Sequence, residues 1–132
     1  MSAELALQGA LVAALKTSPA GAAVSGRVYD RIPAKTDLPY LHLRSFQAVD
    51  DRADCVEGLE VYADLDVWSD AVGKPEASRI AGLVRDALHL APLTLAAPWV
   101  LLEIEHRDTT IDGSEPLLVR ARLSFRALVE RV

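Results

Sequence analysis

The chain has 132 residues, 51% of them apolar and 25% charged, with a formal net charge of -5 and a pI near 5.1. That length suits one domain with a single two-layer core, and the composition is that of a globular chain, not a disordered one. The acidic balance argues against a sequence-independent grip on nucleic acid, which needs a surplus of Lys and Arg at phosphates. Cys55 is the only cysteine, so there is no internal disulfide and no cysteine-based metal site; beside Asp54 it reads as a passive loop residue. No apolar run approaches the roughly 20 residues that cross a bilayer. The apolar start, Met1 to Ala14, carries Glu4 and lacks a basic leader, so the expectation is a soluble protein made in a cytoplasm.

Ala3 to Thr17 predicts an amphipathic helix, with Leu7, Leu11, Ala14 and Leu15 at helical spacing and Ser2 as N-cap. Thr17-Ser18-Pro19-Ala20-Gly21 reads as its stop, because Pro and Gly both resist continuation. A short extended piece, Arg27 to Ile32, is closed by Pro33, and Tyr40 to Val49 predicts a strand after Pro39. A polar loop, Asp50 to Cys55, separates it from Leu59 to Trp68. There Leu59, Val61, Ala63, Leu65 and Val67 face one side, and Glu60, Tyr62, Asp64, Asp66 and Trp68 the other.

Pro75 to His89 predicts a second helix whose apolar stripe is Ile80, Leu83, Val84, Ala87 and Leu88. Trp99 to Asp108 reads as a strand, with Val100, Leu102 and Ile104 alternating against Leu101, Glu103 and Glu105. A turn at Asp112-Gly113-Ser114 leads into Leu117 to Val129. That last strand sets Val119, Ala121, Leu123, Phe125, Ala127 and Val129 against Arg120, Arg122, Ser124 and Arg126. Both pairs of long strands are joined by hairpin-length loops. The expected fold is α+β: an antiparallel four-stranded sheet, plus one short strand, with two helices packed on one face. Residues 1–132 form one domain in this reading.

The sheet's second face carries acids (Glu60, Asp64, Asp66, Glu103, Glu105) and arginines (Arg120, Arg122, Arg126), with Tyr62, Trp68, Leu101 and Leu118 among them. Two readings stand. One is a solvated face of cross-strand ion pairs; the other is a subunit interface, where aromatic residues beside Arg are common. Catalytic and metal patterns are absent from the sequence. His42, His89 and His106 have no ligand spacing, although His89 falls where a cation would favour a helix dipole. Asp64 and Asp66 are the pair that strand alternation produces by default, and turn chemistry accounts for Asp108 and Asp112. No Gly-rich phosphate loop or Gly-x-Ser-x-Gly elbow occurs. No cofactor is expected.

Three stretches together resemble a known family. They are Gly26-Arg27-Val28-Tyr29-Asp30-Arg31-Ile32-Pro33 after the Leu-rich helix, then Leu38-Pro39-Tyr40-Leu41-His42-Leu43. The third is Asp66-Val67-Trp68-Ser69-Asp70 with Gly73-Lys74-Pro75-Glu76-Ala77, the helix Ile80 to Leu88, and Ala91-Pro92-Leu93-Thr94-Leu95. Their order and spacing are similar to the tail terminator (tail completion) proteins of long-tailed phages, prophages and gene transfer agents, such as the gene U product of phage lambda. The resemblance implies a structural protein, not an enzyme. It implies a homohexameric ring at the head-proximal end of the tail tube, whose partners are the tail tube protein and the head-tail connector or stopper. DNA would pass through the lumen without specific binding, no membrane is involved, and the protein would move from host cytoplasm to finished particle. Six chains at -5 each make -30, a charge that would let DNA slide.

The candidate assembly residues lie on two polar loops and the second face. From the loops Gln47 to Glu57 and Arg107 to Pro116 come Asp50, Asp51, Arg52 and Asp54, and Arg107, Asp108, Asp112 and Glu115. From the face come Glu60, Tyr62, Asp64, Arg120, Arg122 and Arg126. The alternative readings are a head-side stopper or neck protein, a minor tail-tube subunit, or a small-molecule binding module or enzyme using Asp64, Asp66 or His106.

Overall fold

Ser2 opens the first helix as expected. Its Oγ accepts the Leu5 amide at 3.1 Å, satisfying one of the donors that a helix start leaves free, and α1 runs Ala3–Lys16. The computed structural model describes residues 1–50, 57–115 and 117–132, with the backbone alone at 114 and 115. The other elements are α2 (Pro19–Ala23), β1 (Val28–Tyr29), β2 (Tyr40–Asp50), β3 (Glu57–Ser69), α3 (Pro75–Leu88), β4 (Trp99–Glu115) and β5 (Leu118–Arg131). The strands form one sheet in the order β1-β2-β3-β5-β4. The two predicted hairpins, β2–β3 and β4–β5, are present, and β5 lies between β3 and β4. β1 is parallel to β2. The sheet is therefore mixed and not purely antiparallel, and the described residues hold three helices instead of two.

Other expectations shift for local reasons. The Thr17 to Gly21 stretch ends α1 but also starts α2: the Ser18 Oγ accepts the Gly21 amide, and Pro19 sits in the first turn, where its missing N–H is no loss. The extended piece after Gly26 shrinks to the two residues of β1. β4 runs on through Arg107–Glu115, so this segment is strand and not loop, and the predicted turn at Asp112 moves past residue 115. The β-branched run Thr109-Thr110-Ile111 favours this extension. Register shifts at Leu101/Glu103, His106/Asp108 and Asp112/Glu115 absorb the phase errors. The first shift also corrects the predicted faces. Val100 and Leu102 are exposed, while Leu101 packs against the core on the same side as Ile104.

The helices cover one face, α1 over β1 to β3 and α3 over β3, β5 and β4. Val61, Ala63, Leu65 and Val67 of β3, with all six predicted inward residues of β5, meet Leu7, Leu11 and Leu15 of α1 and Ile80, Val84 and Leu88 of α3. Each large buried side chain contributes about 1.5–3 kcal/mol. Gly21 is required by close approach, since a Cβ there would run into the Leu15 carbonyl oxygen and lie 2.8 Å from that of Lys16.

Two glycines therefore predict opposite results in thermal or denaturant melts. Gly21→Ala is expected to destabilise by about 1–3 kcal/mol. Gly9→Ala, in the exposed middle of α1 with nothing within 4 Å of the new methyl group, is expected to stabilise by about 0.5–1 kcal/mol.

Candidate functional site

The pairing of β3 with β5 aligns two outward rows: Glu60, Tyr62, Asp64, Asp66 and Trp68 beside Leu128, Arg126, Ser124, Arg122 and Arg120. Acid and base do stand opposite, and the long arginines reach diagonally. Arg126 holds Glu60 with two bonds, Nε at 3.2 Å and Nη2 at 3.0 Å, and reaches Glu105 at 3.6 Å. The Tyr62 hydroxyl donates to the same Glu60 carboxylate at 2.6 Å. The Arg126 bonds, then that of Tyr62, hold the Glu60 carboxyl below its usual value and push the guanidinium pKa higher still. Arg122 bonds Asp112 at 2.9 Å. Two arginines lie over aromatic faces, Arg107 5.0 Å from the Tyr62 ring centre and Arg120 5.1 Å from that of Trp68. Trp68 Nε1 and Arg120 Nε are buried without an acceptor among the described residues.

Asp66 departs from the solvated place expected for it. It is 1% exposed, and Arg44 clamps it, Nε lying 3.2 Å from both carboxylate oxygens. Burial, then the Asp66 charge, raises the pKa of the nearby Tyr40 phenol. Asp64 accepts from Ser45 at 3.0 Å and Ser124 at 2.7 Å. Sequence reasoning missed Arg44. It is the extra residue of a bulge between Leu43 and Ser45, and the signal was two adjacent polar residues, Arg44-Ser45, between the apolar Leu43 and Phe46.

The other predicted residues scatter. Asp50 ends β2, exposed, while Asp51, Arg52 and Asp54, with Cys55, lie outside the described residues. Arg107 is the extra residue at the second β4 bulge, and Asp108 pairs in register with Ser124. Glu115 closes β4. The two hairpins point to opposite ends of the sheet: Glu57 aligns with Arg131 and Trp99 at one end, Ser69 with Val119 at the other, near the β4–β5 turn.

His89 and His106, apart in sequence, meet at the end of α3. His89 is its C-cap and not part of its last turn, and its Nδ1 accepts the His106 amide at 3.0 Å. His106 packs edge-on against Phe125 and bonds Thr109 at 2.6 Å. Burial, then the charges of Arg85 and His89, depresses its imidazole below the ordinary 6.5, against the opposing pull of Asp108. Among the described residues no three His, Cys, Asp or Glu are placed to hold a metal. The described cavities, about 350–410 Å³, are lined without Asp64, Asp66 or His106. Among the described residues no helix is long and apolar enough to cross a membrane.

Residues 9–130 match the tail completion protein gp17 family. The chain belongs to this family. It is a structural tail protein and not an enzyme. Its fold is similar to a chain in the structure of the virion of a native gene transfer agent particle, with 28% identity and a TM-score of 0.88, over 98% of this chain and 99% of that one. No curated protein sequence matches it.

Two predictions follow the tail completion fold's ionisable groups. Arg44→Met strands the buried Asp66 charge and is expected to cost about 2–3 kcal/mol in denaturant unfolding; adding Asp66→Asn should recover most of that loss. His106 has a depressed folded pKa, so the unfolded chain binds the proton more readily. Stability from this group is complete above about pH 6.5 and declines as pH falls below it. Unfolding midpoints measured between about pH 5 and 7 should show this slope, and His106→Gln should flatten it.

Proposed function

We propose that this tail completion protein is the tail terminator: a subunit of a ring that caps the head-proximal end of the tail tube, halts its polymerisation and receives the head connector. The near end-to-end likeness to a chain of a gene transfer agent virion carries this reading. The fold supports it. Capping requires two unlike surfaces, one that copies what a tube subunit accepts and one that refuses another tube ring. The two hairpins, at opposite ends of the sheet, provide such a pair. We assign axial contacts to Asp50 at one end and to Asp112 at the other, and on sequence alone keep Asp51, Arg52, Asp54 and Glu115 as candidates for the same role. Glu60, Tyr62, Asp64, Arg120, Arg122 and Arg126 form a wall whose charges are largely paired within the chain. Such a wall, in a ring of six acidic chains, would let DNA pass without attachment. Assembly would take place in the host cytoplasm, and the protein would remain in the particle.

Electron microscopy of particles made without this protein tests the assignment. Overlong polymerised tails are expected. Finished tails of normal length, with heads that leak DNA, would instead assign it to the head side as a stopper.

A further inference from the structure

We infer that neighbouring copies of this chain meet edge to edge, the acidic β4 edge of one copy against the basic β1–β2 edge of the next. The inference rests on the ring reading above and names the surface through which the ring closes. The strand order puts these edges on opposite sides of the sheet. β4 bears Glu103, Glu105, Asp108 and Asp112 against the single Arg107. The other side, residues 27–44, bears Arg27, Arg31, Lys35 and Arg44 against Asp30 and Asp37.

The charges left over match. On the outer face most charged groups are engaged within the chain, but Glu103 and Asp108 are exposed and form no ion pair among the described residues; the same holds for Arg31 and Lys35. The cations sit on a pinned loop. Tyr29 bonds Thr36 at 2.8 Å, Arg27 Nε donates to the Pro39 carbonyl at 3.0 Å, His42 Nε2 lies 3.2 Å from the Asp30 carbonyl oxygen, and Gln8 bonds the Asp30 side chain at 3.0 Å. A loop already ordered loses little conformational entropy on contact.

Apolar surface accompanies the charge. Val100 and Leu102 are 43% and 58% exposed on β4, and Leu102 borders a cavity that Leu90 and Pro92 also line. Ile32-Pro33 lies between the two cations on the facing loop. Like edges brought together would set acid against acid, which disfavours a two-fold dimer and selects the head-to-tail contact that a rotation closes into a ring. Bulges on β4 and at Arg44 on β2 interrupt both edges, so side chains make the contact and open-ended strand addition is suppressed.

Charge exchange tests this in a strain that assembles particles with the variant as its only copy. Glu103→Lys with Asp108→Lys, and separately Arg31→Glu with Lys35→Glu, should each reduce finished particles by about tenfold or more. The four substitutions together should restore assembly to within a few-fold of wild type. Circular dichroism melts of each purified variant establish that it folds. Folded pair variants that assemble normally, or a folded quadruple variant that fails to recover, would overturn the edge contact. Counting copies per wild-type tail separates this from the parent reading: one copy per tail ends the ring proposal, whereas a ring with indifferent variants ends only this interface.

Discussion

β3 and β5 are distant in the chain yet adjacent in the sheet, aligned through thirteen register pairs from Glu57–Arg131 to Ser69–Val119. This pairing holds the two halves of the molecule together, because each half is a hairpin that buries little by itself. The crossover through α3 carries the chain from β3 to β4 and leaves the slot that β5 fills. A slip of β5 by one residue against β3 would turn Phe125 outward and Arg122 inward, so the buried face fixes the register. Once it is fixed, Arg126 stands within reach of Glu60, and Ser124 within reach of Asp64.

The same register makes the outer face self-contained. Its central carboxylates, those of Glu60, Asp64 and Asp66, are taken up by arginines, serines and a tyrosine, and two further arginines rest on aromatic rings. A face whose charges are already paired gains little from a partner's charges. The contacts proposed above accordingly lie where the sheet runs out: the hairpin ends along the strands and the bulged edges across them. In the proposed ring this division would leave two radial faces, one of helices and one of paired charge.

How much of this was legible before folding depended on distance along the chain. β3, β5, α3 and the Ser2 cap were readable because their signals, period two, an apolar stripe and a side chain three residues from its partner amide, are local. The family resemblance was legible for the same reason, resting on short ordered stretches around Tyr29, Pro39 and Trp68. The phase of β4 was not. Its alternation is broken by three bulges, and only the fixed partner β5 shows which of Leu101 and Leu102 faces the core. Asp66 was misread because strand alternation makes a carboxylate look solvated unless a cation from another strand covers it.

The sequence by itself determined the fold class, the inward faces of the central strands and the family, since hydrophobic periodicity and motif order are properties of contiguous residues. Tertiary structure alone decided the parallel β1, the burial of Asp66 under Arg44, the meeting of His89 with His106, and the opposite directions of the two hairpins. Each depends on which strands become neighbours and in what register. Packing the whole apolar face settles that at once, and no local pattern encodes it.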